Sequence, residues 1–353
     1  MTHQLTIEPL GDAIGVAEGQ TILDACLRSG IYIPHACGHG LCGTCKTQVV
    51  EGEIDHGEAS NFALMDFERD DGFVLACTAT LKSDVTIEAD VEEDPDARRI
   101  AVGDFAGEVV GLDDLTHDVK GVRIAVEGDG VDFQAGQYVM VRLPGVEAPR
   151  AFSLANAPSD AAHVELQVRR VPGGAGTGYV HEKLKRGDRV RFSGPYGRFV
   201  VRKSRGGPLI FLAGGTGVSS PRAMILDLLE EGYAEPITLI HGVRAEADLY
   251  GREEFEALAA KHPNFRYVPA LSSEPEGSAW AGERGFVHDV AKRLYDDRFE
   301  GLTAYLCGPP PMIEACIGAL MQGRLFEKHI FTEKFFTAQD AGSKPKSPLF
   351  KRL

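Results

Sequence analysis

Residues 34–45 read PHACGHGLCGTC and place Cys37, Cys42 and Cys45 in the spacing C-x4-C-x2-C, with a fourth cysteine, Cys77, further along the chain. This spacing is typical of proteins that bind a plant-type [2Fe–2S] cluster through four thiolates. The intervening glycines let the backbone wrap tightly, so that amide N–H groups approach the cluster sulfurs. We therefore predict Cys37, Cys42, Cys45 and Cys77 as the metal ligands.

A structural zinc ion is the alternative, because four cysteines also suit zinc. Zinc sites usually contain two C-x2-C pairs, whereas this chain has a single such pair, from Cys42 to Cys45. The spacing favours the iron–sulfur cluster.

The composition is that of an ordinary globular protein, with 353 residues of which 43% are hydrophobic and 25% charged. This length indicates two or three domains. No apolar run approaches the ~20 residues of a membrane span, and the start, MTHQ, lacks the features of a signal peptide. Seven cysteines, four of them assigned to a cluster, do not indicate a disulfide framework. We expect a cytoplasmic protein.

The net charge of −15 is unevenly distributed along the chain. Residues 1–95 carry 18 acidic and 4 basic side chains, a balance of −14, whereas residues 150–205 carry 12 basic and 4 acidic ones, a balance of +8. Such an acidic chain does not favour nucleic-acid binding. An acidic and a basic stretch together favour docking between domains or proteins, although a merely solvated acidic surface is the alternative.

The order of apolar patterns predicts three domains and a tail. Residues 1–95 alternate as a small mixed sheet, with a helix between Thr21 and Gly30 and a short helix near Phe62–Phe67. An acidic, proline-interrupted linker follows at residues 92–96. Closely spaced strands predict a barrel over residues 101–205. Apolar strands alternating with helices, one of them at Arg222–Glu230, predict a parallel α/β domain over residues 206–337. Residues 338–353 are a polar, basic tail.

A family resemblance covers the whole chain. The sequence YIPHACGHGLCGTCK at residues 32–46, with EAS at 58–60 and LMDFER at 64–69, resembles the ferredoxin domain of phenol hydroxylase reductase components. More broadly, it is similar to the reductases of bacterial di-iron monooxygenases. The resemblance implies a β-grasp [2Fe–2S] ferredoxin domain, a six-stranded FAD-binding β-barrel and a parallel α/β nucleotide-binding domain.

The flavin site is predicted from two segments. Residues 150–156, RAFSLAN, resemble the R-x-Y-S signature of ferredoxin-reductase-type flavin domains. This implies that Arg150 contacts a pyrophosphate, that Phe152 packs on the flavin in place of a tyrosine, and that Ser153 meets the ring near its redox-active nitrogen. The glycine-rich segment VPGGAGTGYV at 171–180 leads into a helical pattern. Because amides at a helix start bind phosphate oxygens, we expect a diphosphate, and hence FAD, at three of its residues: Gly174, Gly176 and Thr177.

The nicotinamide site is predicted from a glycine turn and a later motif. Residues 212–221, LAGGTGVSSP, form a strand, turn and helix pattern that allows close approach of a pyrophosphate. The turn residues assigned to it are Gly214, Gly215, Thr216 and Gly217. Residues 305–312, YLCGPPPM, resemble the family's C-G-P-P-x-M signature. This resemblance implies that Cys307 lies by the nicotinamide and helps steer it towards the flavin, with Gly308 in the same turn.

Two further segments bear on cofactor choice and flavin shielding. Arg244 can hold the 2′-phosphate of NADPH, but Glu246 and Asp248 repel it. The resemblance also favours NADH. EKFF at 333–336 resembles the terminal E-K-F of such reductases, which implies that an aromatic side chain covers the flavin. Phe335 is assigned to this role; Phe336 and simple core packing are the alternatives.

The domain order itself predicts the function. NADH gives up two electrons as a hydride, a [2Fe–2S] cluster takes one, and a flavin mediates between them. We therefore expect an NADH-dependent reductase that acts as a monomer. The family resemblance further implies that Ser153 and Cys307 are its catalytic residues and that it delivers electrons to the oxygenase component of a di-iron phenol monooxygenase. A Rieske dioxygenase or a deoxysugar dehydratase is the alternative acceptor. An iron–sulfur redox sensor or scaffold is the non-enzyme alternative.

Overall fold

The computed structural model describes residues 2–91 and 94–335, in two compact units that meet in the chain between Gly103 and Asp104. The predicted tail at 338–353, Phe336, and Glu92 and Glu93 of the predicted linker lie outside the described residues. In the part of the chain that is described, no helix has the length and apolar character needed to cross a membrane.

The first unit is a five-stranded sheet with two helices and a small two-stranded ribbon. Its elements are β1 (Thr2–Glu8), β2 (Asp12–Ala17), α1 (Ile22–Arg28), β3 (Lys46–Glu51), β4 (Ile54–Asp55), α2 (Asp66–Asp70), β5 (Phe73–Leu75), β6 (Thr80–Leu81) and β7 (Val85–Glu88). The sheet order is β2-β1-β7-β3-β5, with β1 parallel to β7, and β4 pairs with β6. The predicted β-grasp ferredoxin fold is confirmed.

Helix α1 begins and ends where its sequence predicts. The hydroxyl of Thr21 accepts the N–H of Asp24 at 3.3 Å, which satisfies one of the free amides of the first turn. Gly30, at φ 73°, follows its last turn in the left-handed conformation that glycine favours. The buried face of the helix includes Cys26, whose side chain is fully enclosed among Ile22, Leu5 and other core residues.

Helix α2 begins at Asp66, later than the predicted Phe62, because the preceding residues form a turn. The N–H of Leu64 donates to the carbonyl of Ser60 at 2.9 Å. The Glu68 carboxylate then accepts the N–H of Met65 at 2.9 Å and caps the helix just before its first residue.

The chain beyond the acidic segment returns to the first unit. The N–H of Val102 donates to the carbonyl of Leu27 at 3.0 Å, and Arg99 pairs with Asp12 at 3.3 Å. Val102 is buried. The segment that leads out of the ferredoxin fold is therefore packed on α1 up to the start of the second unit.

The first part of the second unit is a six-stranded antiparallel barrel. Its elements are β8 (Gly103–Asp114), β9 (Val119–Val126), β10 (Tyr138–Arg142), β11 (Arg150–Ser153), β12 (His163–Arg169), α3 (Ala175–Glu182) and β13 (Arg189–Tyr196). The strand order is β11-β10-β13-β8-β9-β12. The two outer strands approach each other, where the N–H of Ala155 donates to the carbonyl of Glu165 at 2.9 Å, so the barrel is nearly closed.

The second part is a six-stranded parallel sheet covered by helices. Its elements are β14 (Leu209–Gly214), α4 (Ser219–Glu230), β15 (Ile237–Val243), α5 (Arg252–Lys261), β16 (Phe265–Leu271), β17 (Glu283–Arg284), α6 (Val287–Leu294), β18 (Thr303–Gly308), α7 (Pro310–Gln322) and β19 (Ile330–Lys334). The order is β17-β16-β15-β14-β18-β19. Helix α4 starts at Ser219 rather than at the predicted Arg222, because a proline is tolerated in the first turn.

Polar side chains join the barrel to the parallel sheet. Arg222 of α4 donates to both carboxylate oxygens of Glu254 at 2.7 and 2.8 Å, and to Glu165 of β12 at 3.1 Å. Gln167, also on β12, accepts from the hydroxyls of Ser219 at 2.8 Å and Tyr250 at 3.1 Å. These contacts fix the nucleotide-binding part against the flavin-binding part within one unit.

Candidate functional site

The predicted cluster ligands lie in the first unit, on the loop before β3 and just after β5. Cys45 and Cys77 are buried, Cys37 is half-buried, and Cys42 is exposed. The N–H of Leu41 donates to the sulfur of Cys37 at 3.3 Å, and Cys42 hydrogen-bonds the hydroxyl of Thr44 at 3.2 Å. The loop therefore supplies both thiols and hydrogen-bond donors, as a cluster site requires.

The four thiols form two pairs rather than one tetrahedral group. A hydrogen bond with Cys77 lowers the pKa of Cys45, and the same contact raises the pKa of Cys77. Burial acts to raise the pKa of Cys42, but hydrogen bonds with Thr44 and Cys37 outweigh it and lower that pKa. Among the described residues, no three or more His, Cys, Asp or Glu side chains lie close enough together to hold a single metal ion. Two pairs fit a two-iron cluster held by four thiolates.

Glycine is required within this loop by close packing as well as by conformation. Gly40 has φ 80°, and a Cβ there would lie 2.9 Å from the Thr78 side chain and 3.0 Å from the Glu58 carbonyl. Gly43 has φ 73°, and its Cβ would lie 3.1 Å from the carbonyl of Ala63. The loop consequently lies directly against the segment that precedes α2.

The flavin-type motif places Arg150 beside the glycine-rich segment. The Arg150 stem crosses Gly176 so closely that a Cβ on Gly176 would lie 2.6 Å from its Cγ. Its guanidinium donates to the carbonyls of Ala148 at 2.7 Å and Pro149 at 3.2 Å. Arg150 is thus brought to the start of α3, where free backbone amides are available for phosphate oxygens.

The Thr177 hydroxyl holds the turn together. It accepts the N–H of Val171 at 3.1 Å and donates to the carbonyl of Gly174 at 3.4 Å. A Cβ on Gly174 would lie 2.8 Å from this hydroxyl oxygen. Arg150 and the amides of this turn fit the diphosphate of FAD, while the Thr177 side chain shapes the turn that presents those amides.

Phe152 and Ser153 occupy neighbouring positions of β11 with different environments. Phe152 is half-buried and packs against the barrel core. Ser153 pairs with Tyr138 across the strands, and its hydroxyl points to Glu333 of β19 at 3.3 Å. The flavin-type motif on β11 therefore contacts β19, the last strand of the parallel sheet, through Ser153.

The glycine turn after β14 packs against the motif after β18. A Cβ on Gly214 would lie 2.5 Å from the sulfur of Met312, and one on Gly308 would lie 3.2 Å from the N of Gly214. A Cβ on Gly217 would lie 2.3 Å from the carbonyl oxygen of Cys307. Gly215 differs, since it has φ 54° and faces open space. Gly215 and Thr216 thus form the open part of the turn and fit the pyrophosphate of NAD.

A buried histidine supports this open part. His241, at the carboxyl end of β15, is fully enclosed, and its Nε2 lies 3.2 Å from the carbonyl of Gly215. Burial lowers the pKa of His241 to about 4, so the ring is neutral at neutral pH. Its edge meets the ring of Tyr250, with centroids 5.7 Å apart.

The carboxylate of Glu333 connects the flavin motif to the nicotinamide motif. Its Oε2 accepts from the hydroxyl of Ser220 at 2.6 Å, the hydroxyl of Ser153 at 3.3 Å and the thiol of Cys307 at 3.4 Å. Burial raises the pKa of Glu333, and the three hydrogen bonds oppose that shift. Burial also raises the pKa of Cys307, which keeps this thiol protonated.

An acidic group lies at the carboxyl ends of β15 and β16. Arg244 is exposed at the end of β15, and its carbonyl accepts the N–H of Ser273 at 2.8 Å. The carboxylate of Glu274 accepts the N–H of Glu246 at 3.0 Å, and Asp248 accepts the N–H of Ala245 at 3.0 Å. The segment after β15 thus carries Arg244, Glu246 and Asp248, and the carboxylate of Glu274 bonds to its backbone.

Phe335 ends the described chain next to the nicotinamide motif. Its N–H donates to the carbonyl of Gly308 at 3.0 Å, and its half-buried ring packs against the core of the parallel sheet.

Comparisons with known proteins show three cofactor-binding domains. Residues 5–82 match the family model of the 2Fe-2S iron-sulfur cluster binding domain, residues 107–201 that of the oxidoreductase FAD-binding domain, and residues 211–317 that of the oxidoreductase NAD-binding domain. The chain is 58% identical to the reductase component of phenol 2-monooxygenase from Pseudomonas sp. strain CF600, over the full length of both chains. This chain belongs to the phenol hydroxylase reductase family.

The chain is also similar to a second phenol hydroxylase protein and to a reductase of known structure. The chain is 52% identical to a phenol hydroxylase protein of Acinetobacter pittii, again over the full length of both. The crystal structure of a reductase from Amycolatopsis has a TM-score of 0.84 and 36% identity, and the match covers 95% of this chain and 99% of that one. The chain is therefore an iron–sulfur flavoprotein oxidoreductase whose cofactors are NAD, FAD and a [2Fe–2S] cluster, as predicted.

The fold brings to the sites three residues for which the sequence predicted no role. Ser220 and Glu333 join the predicted Ser153 and Cys307, and Glu274 joins Glu246. Glu333 is the first residue of the terminal E-K-F motif, and Ser220 lies within the glycine-turn pattern at 212–221, so both carried a signal; Glu274 lies in a segment without a recognisable pattern.

Proposed function

We propose that this chain carries electrons from NADH through FAD and a [2Fe–2S] cluster to the oxygenase component of a multicomponent phenol monooxygenase. The observation that carries the proposal is the carboxylate of Glu333, which hydrogen-bonds both Ser153 and Cys307. One residue of the predicted flavin site and one residue of the predicted nicotinamide site therefore contact the same carboxylate. The full-length likeness to phenol monooxygenase reductases supports the identity of the acceptor.

The bound groups supply hydride transfer from NADH to FAD and one-electron transfer to the iron–sulfur cluster. The residues of this chain bind and orient these groups. Arg150 and the amides at the start of α3 would hold the diphosphate of FAD, and Gly215 and Thr216 would hold the pyrophosphate of NADH.

The chain also sets the polarity around Ser153 and Cys307, where the flavin and the nicotinamide would bind. Cys307 presents a neutral, buried thiol at the nicotinamide, because burial raises its pKa. Glu333 orients the Ser153 hydroxyl and, with a raised pKa, holds a proton on its carboxylate more readily than an ordinary glutamate does. Ser153 and Cys307 are the residues that we assign to the reacting atoms.

Cys37, Cys42, Cys45 and Cys77 hold the cluster in the ferredoxin unit. We assign residues 1–95 to this domain, 101–205 to FAD binding, 206–337 to NAD binding and 338–353 to a tail. The monomeric state and the cytoplasmic location expected from the sequence belong to the same proposal, and the low number of cysteines outside the cluster set supports the location.

Removal of the ferredoxin unit tests the proposed route. A fragment that starts at Asp104, the first residue of the second unit, should keep FAD and pass electrons from NADH to ferricyanide. It should support no phenol hydroxylation by a purified phenol monooxygenase oxygenase component, whereas the full chain should. Hydroxylation by the fragment at the rate of the full chain would refute the linear route.

A further inference from the structure

A histidine lies in the core of the parallel sheet, where most side chains are apolar. His241 belongs to β15, and Leu239 and Ile240 of the same strand are fully buried, as is the histidine itself. Its Nδ1 is buried and has no hydrogen-bond partner among the described residues. A buried polar atom without a partner lowers stability. An apolar side chain of similar size would avoid this cost, so stability alone does not account for a histidine at this position.

The other ring nitrogen contacts the glycine turn after β14. Nε2 of His241 lies 3.2 Å from the carbonyl oxygen of Gly215. Because burial lowers the pKa of His241 to about 4, the ring is neutral at neutral pH and carries a single N–H. A carbonyl oxygen can only accept, so this hydrogen lies on Nε2. The ring therefore acts as a single donor directed at one carbonyl of the turn.

This hydrogen bond fixes the direction of the next amide. The peptide bond between Gly215 and Thr216 is trans, so the carbonyl of Gly215 and the N–H of Thr216 point in opposite directions. Since His241 holds the carbonyl towards the core of the sheet, the N–H of Thr216 is directed away from that core. Both turn residues are half-buried, and a Cβ on Gly215 would meet no atom within 4 Å. The turn thus combines free space with an amide that is directed outwards.

The surrounding hydrogen bonds hold both the turn and the histidine ring in place. The hydroxyl of Ser219 lies 2.9 Å from the carbonyl of Thr216 and 2.8 Å from Oε1 of Gln167 on β12. The hydroxyl of Tyr250 donates to the same Oε1 at 3.1 Å. The ring of Tyr250 meets the ring of His241 edge-on, with centroids 5.7 Å apart. A preoriented turn loses less conformational entropy when a ligand binds.

We propose that His241 is a positioning residue for NADH, which holds the Gly215 carbonyl so that the Thr216 amide is directed at the pyrophosphate. The inference rests on the proposed function, since Gly215 and Thr216 are assigned to the pyrophosphate there. Backbone amides bind phosphate oxygens when they point at them. Because the His241 side chain is fully enclosed, it acts through the turn. We therefore expect it to affect nucleotide binding rather than the rate of hydride transfer.

Two substitutions separate the hydrogen bond of His241 from its volume. His241→Leu keeps a buried side chain but has no donor for the Gly215 carbonyl. His241→Gln has an amide N–H that can donate to this carbonyl. Thr238→Val is the matched control, because Thr238 is buried on the same strand about 10 Å away, at ~3.3 Å per residue, and loses its hydrogen bond from the Tyr295 hydroxyl.

Calorimetric titration of the full chain with ADP-ribose measures binding without a redox reaction, since this ligand has the pyrophosphate but no nicotinamide. We expect the dissociation constant of His241→Leu to rise about tenfold and that of His241→Gln to stay within about threefold of the wild type. Thr238→Val should bind as the wild type does. The visible spectrum verifies that each variant keeps FAD and the cluster.

Two further measurements exclude a purely structural role. With ferricyanide as acceptor, the KM for NADH of His241→Leu should rise about tenfold while kcat stays unchanged, because only binding is affected. The melting temperature of His241→Leu, followed by flavin fluorescence, should not fall below that of the wild type, since the unpaired Nδ1 is removed. Weaker binding together with undiminished stability is the signature of a positioning residue.

Four results would overturn the inference. His241→Leu could bind ADP-ribose as tightly as the wild type, or His241→Gln as weakly as His241→Leu, and either result would show that the hydrogen bond has no role. Equal losses of binding and of melting temperature in His241→Leu and Thr238→Val would indicate a general loosening of the sheet. A lower kcat at unchanged KM would assign the ring to hydride transfer.

A wild-type protein that binds no ADP-ribose is a different failure. It would contradict the assignment of Gly215 and Thr216 under the proposed function, and the inference about His241 would fall with that assignment.

Discussion

Ser153 and Glu333 lie 180 positions apart in the chain, and the hydroxyl of Ser153 donates to the carboxylate of Glu333 across 3.3 Å. The same carboxylate oxygen accepts from Ser220 and Cys307. A residue of the flavin motif and a residue of the nicotinamide motif are thus oriented by a single buried acid. This arrangement requires the barrel and the parallel sheet to pack in a fixed way, which Arg222 and Gln167 secure.

Replacement of Cys307 should slow hydride transfer without loss of flavin. Cys307→Ala removes the thiol that we place at the nicotinamide, so NADH oxidation with ferricyanide should fall about tenfold, because small misplacements of reacting groups have large effects on rate. FAD content, measured by absorbance, should stay at the wild-type level. Cys316→Ala is the matched control, since Cys316 is also buried but lies on α7. A Cys307→Ala protein that purifies without FAD contradicts the assignment.

Glu333→Gln should change how stability depends on pH. Burial raises the pKa of Glu333, so the native state binds this proton more tightly than the unfolded chain does. Stability therefore falls as pH rises from the ordinary carboxyl range through the raised pKa. The glutamine cannot titrate. The melting temperature of the variant minus that of the wild type should therefore increase from pH 4 to pH 8.

Flavin fluorescence during heating measures this difference for the second unit. Glu314→Gln is the control, because Glu314 lies on α7, is partly exposed and pairs with Lys334 of β19. A difference between Glu333→Gln and wild type that stays constant with pH would mean that Glu333 does not titrate as described.

The four ligand cysteines should be distinguishable from the buried Cys26. Wild-type protein should contain about two iron atoms and two acid-labile sulfides per chain. Cys77→Ser should lose most of both, whereas Cys26→Ala should keep them, because Cys26 lies on the buried face of α1 and burial raises its pKa to about 12. Metal and sulfide assays decide the point. Equal loss in the two variants would overturn the ligand set.

The acidic group around Arg244 should set the preference for NADH. Glu246→Gln and Glu274→Gln each remove a negative charge near the place of a 2′-phosphate, so each should narrow the ratio of kcat/KM for NADH over NADPH by about tenfold, as expected for a charge ~10 Å away at an intermediate dielectric. Glu300→Gln is the control, because Glu300 precedes β18 and lies at the opposite edge of the sheet. A native preference for NADPH would refute the assignment.

The local patterns of the sequence determined the fold and the identity of the cofactors. The cysteine spacing, the capping residue Thr21 and the apolar strands of the parallel sheet act over a few neighbouring residues, so a sequence shows them directly. The start of α2 could not be placed this way. It depends on the side chain of Glu68 reaching back to Met65.

Tertiary structure alone decided which side chains share a site. Ser153, Ser220, Cys307 and Glu333 come from four separate segments, and only the packing of the barrel on the sheet brings them to one carboxylate. The Thr177 hydroxyl bonds to Val171 and Gly174 and so holds the turn whose amides are predicted to bind the diphosphate. Glu274 reaches Glu246 because adjacent parallel strands end at the same edge. Contacts between distant segments depend on how whole elements pack, and no local pattern encodes that packing.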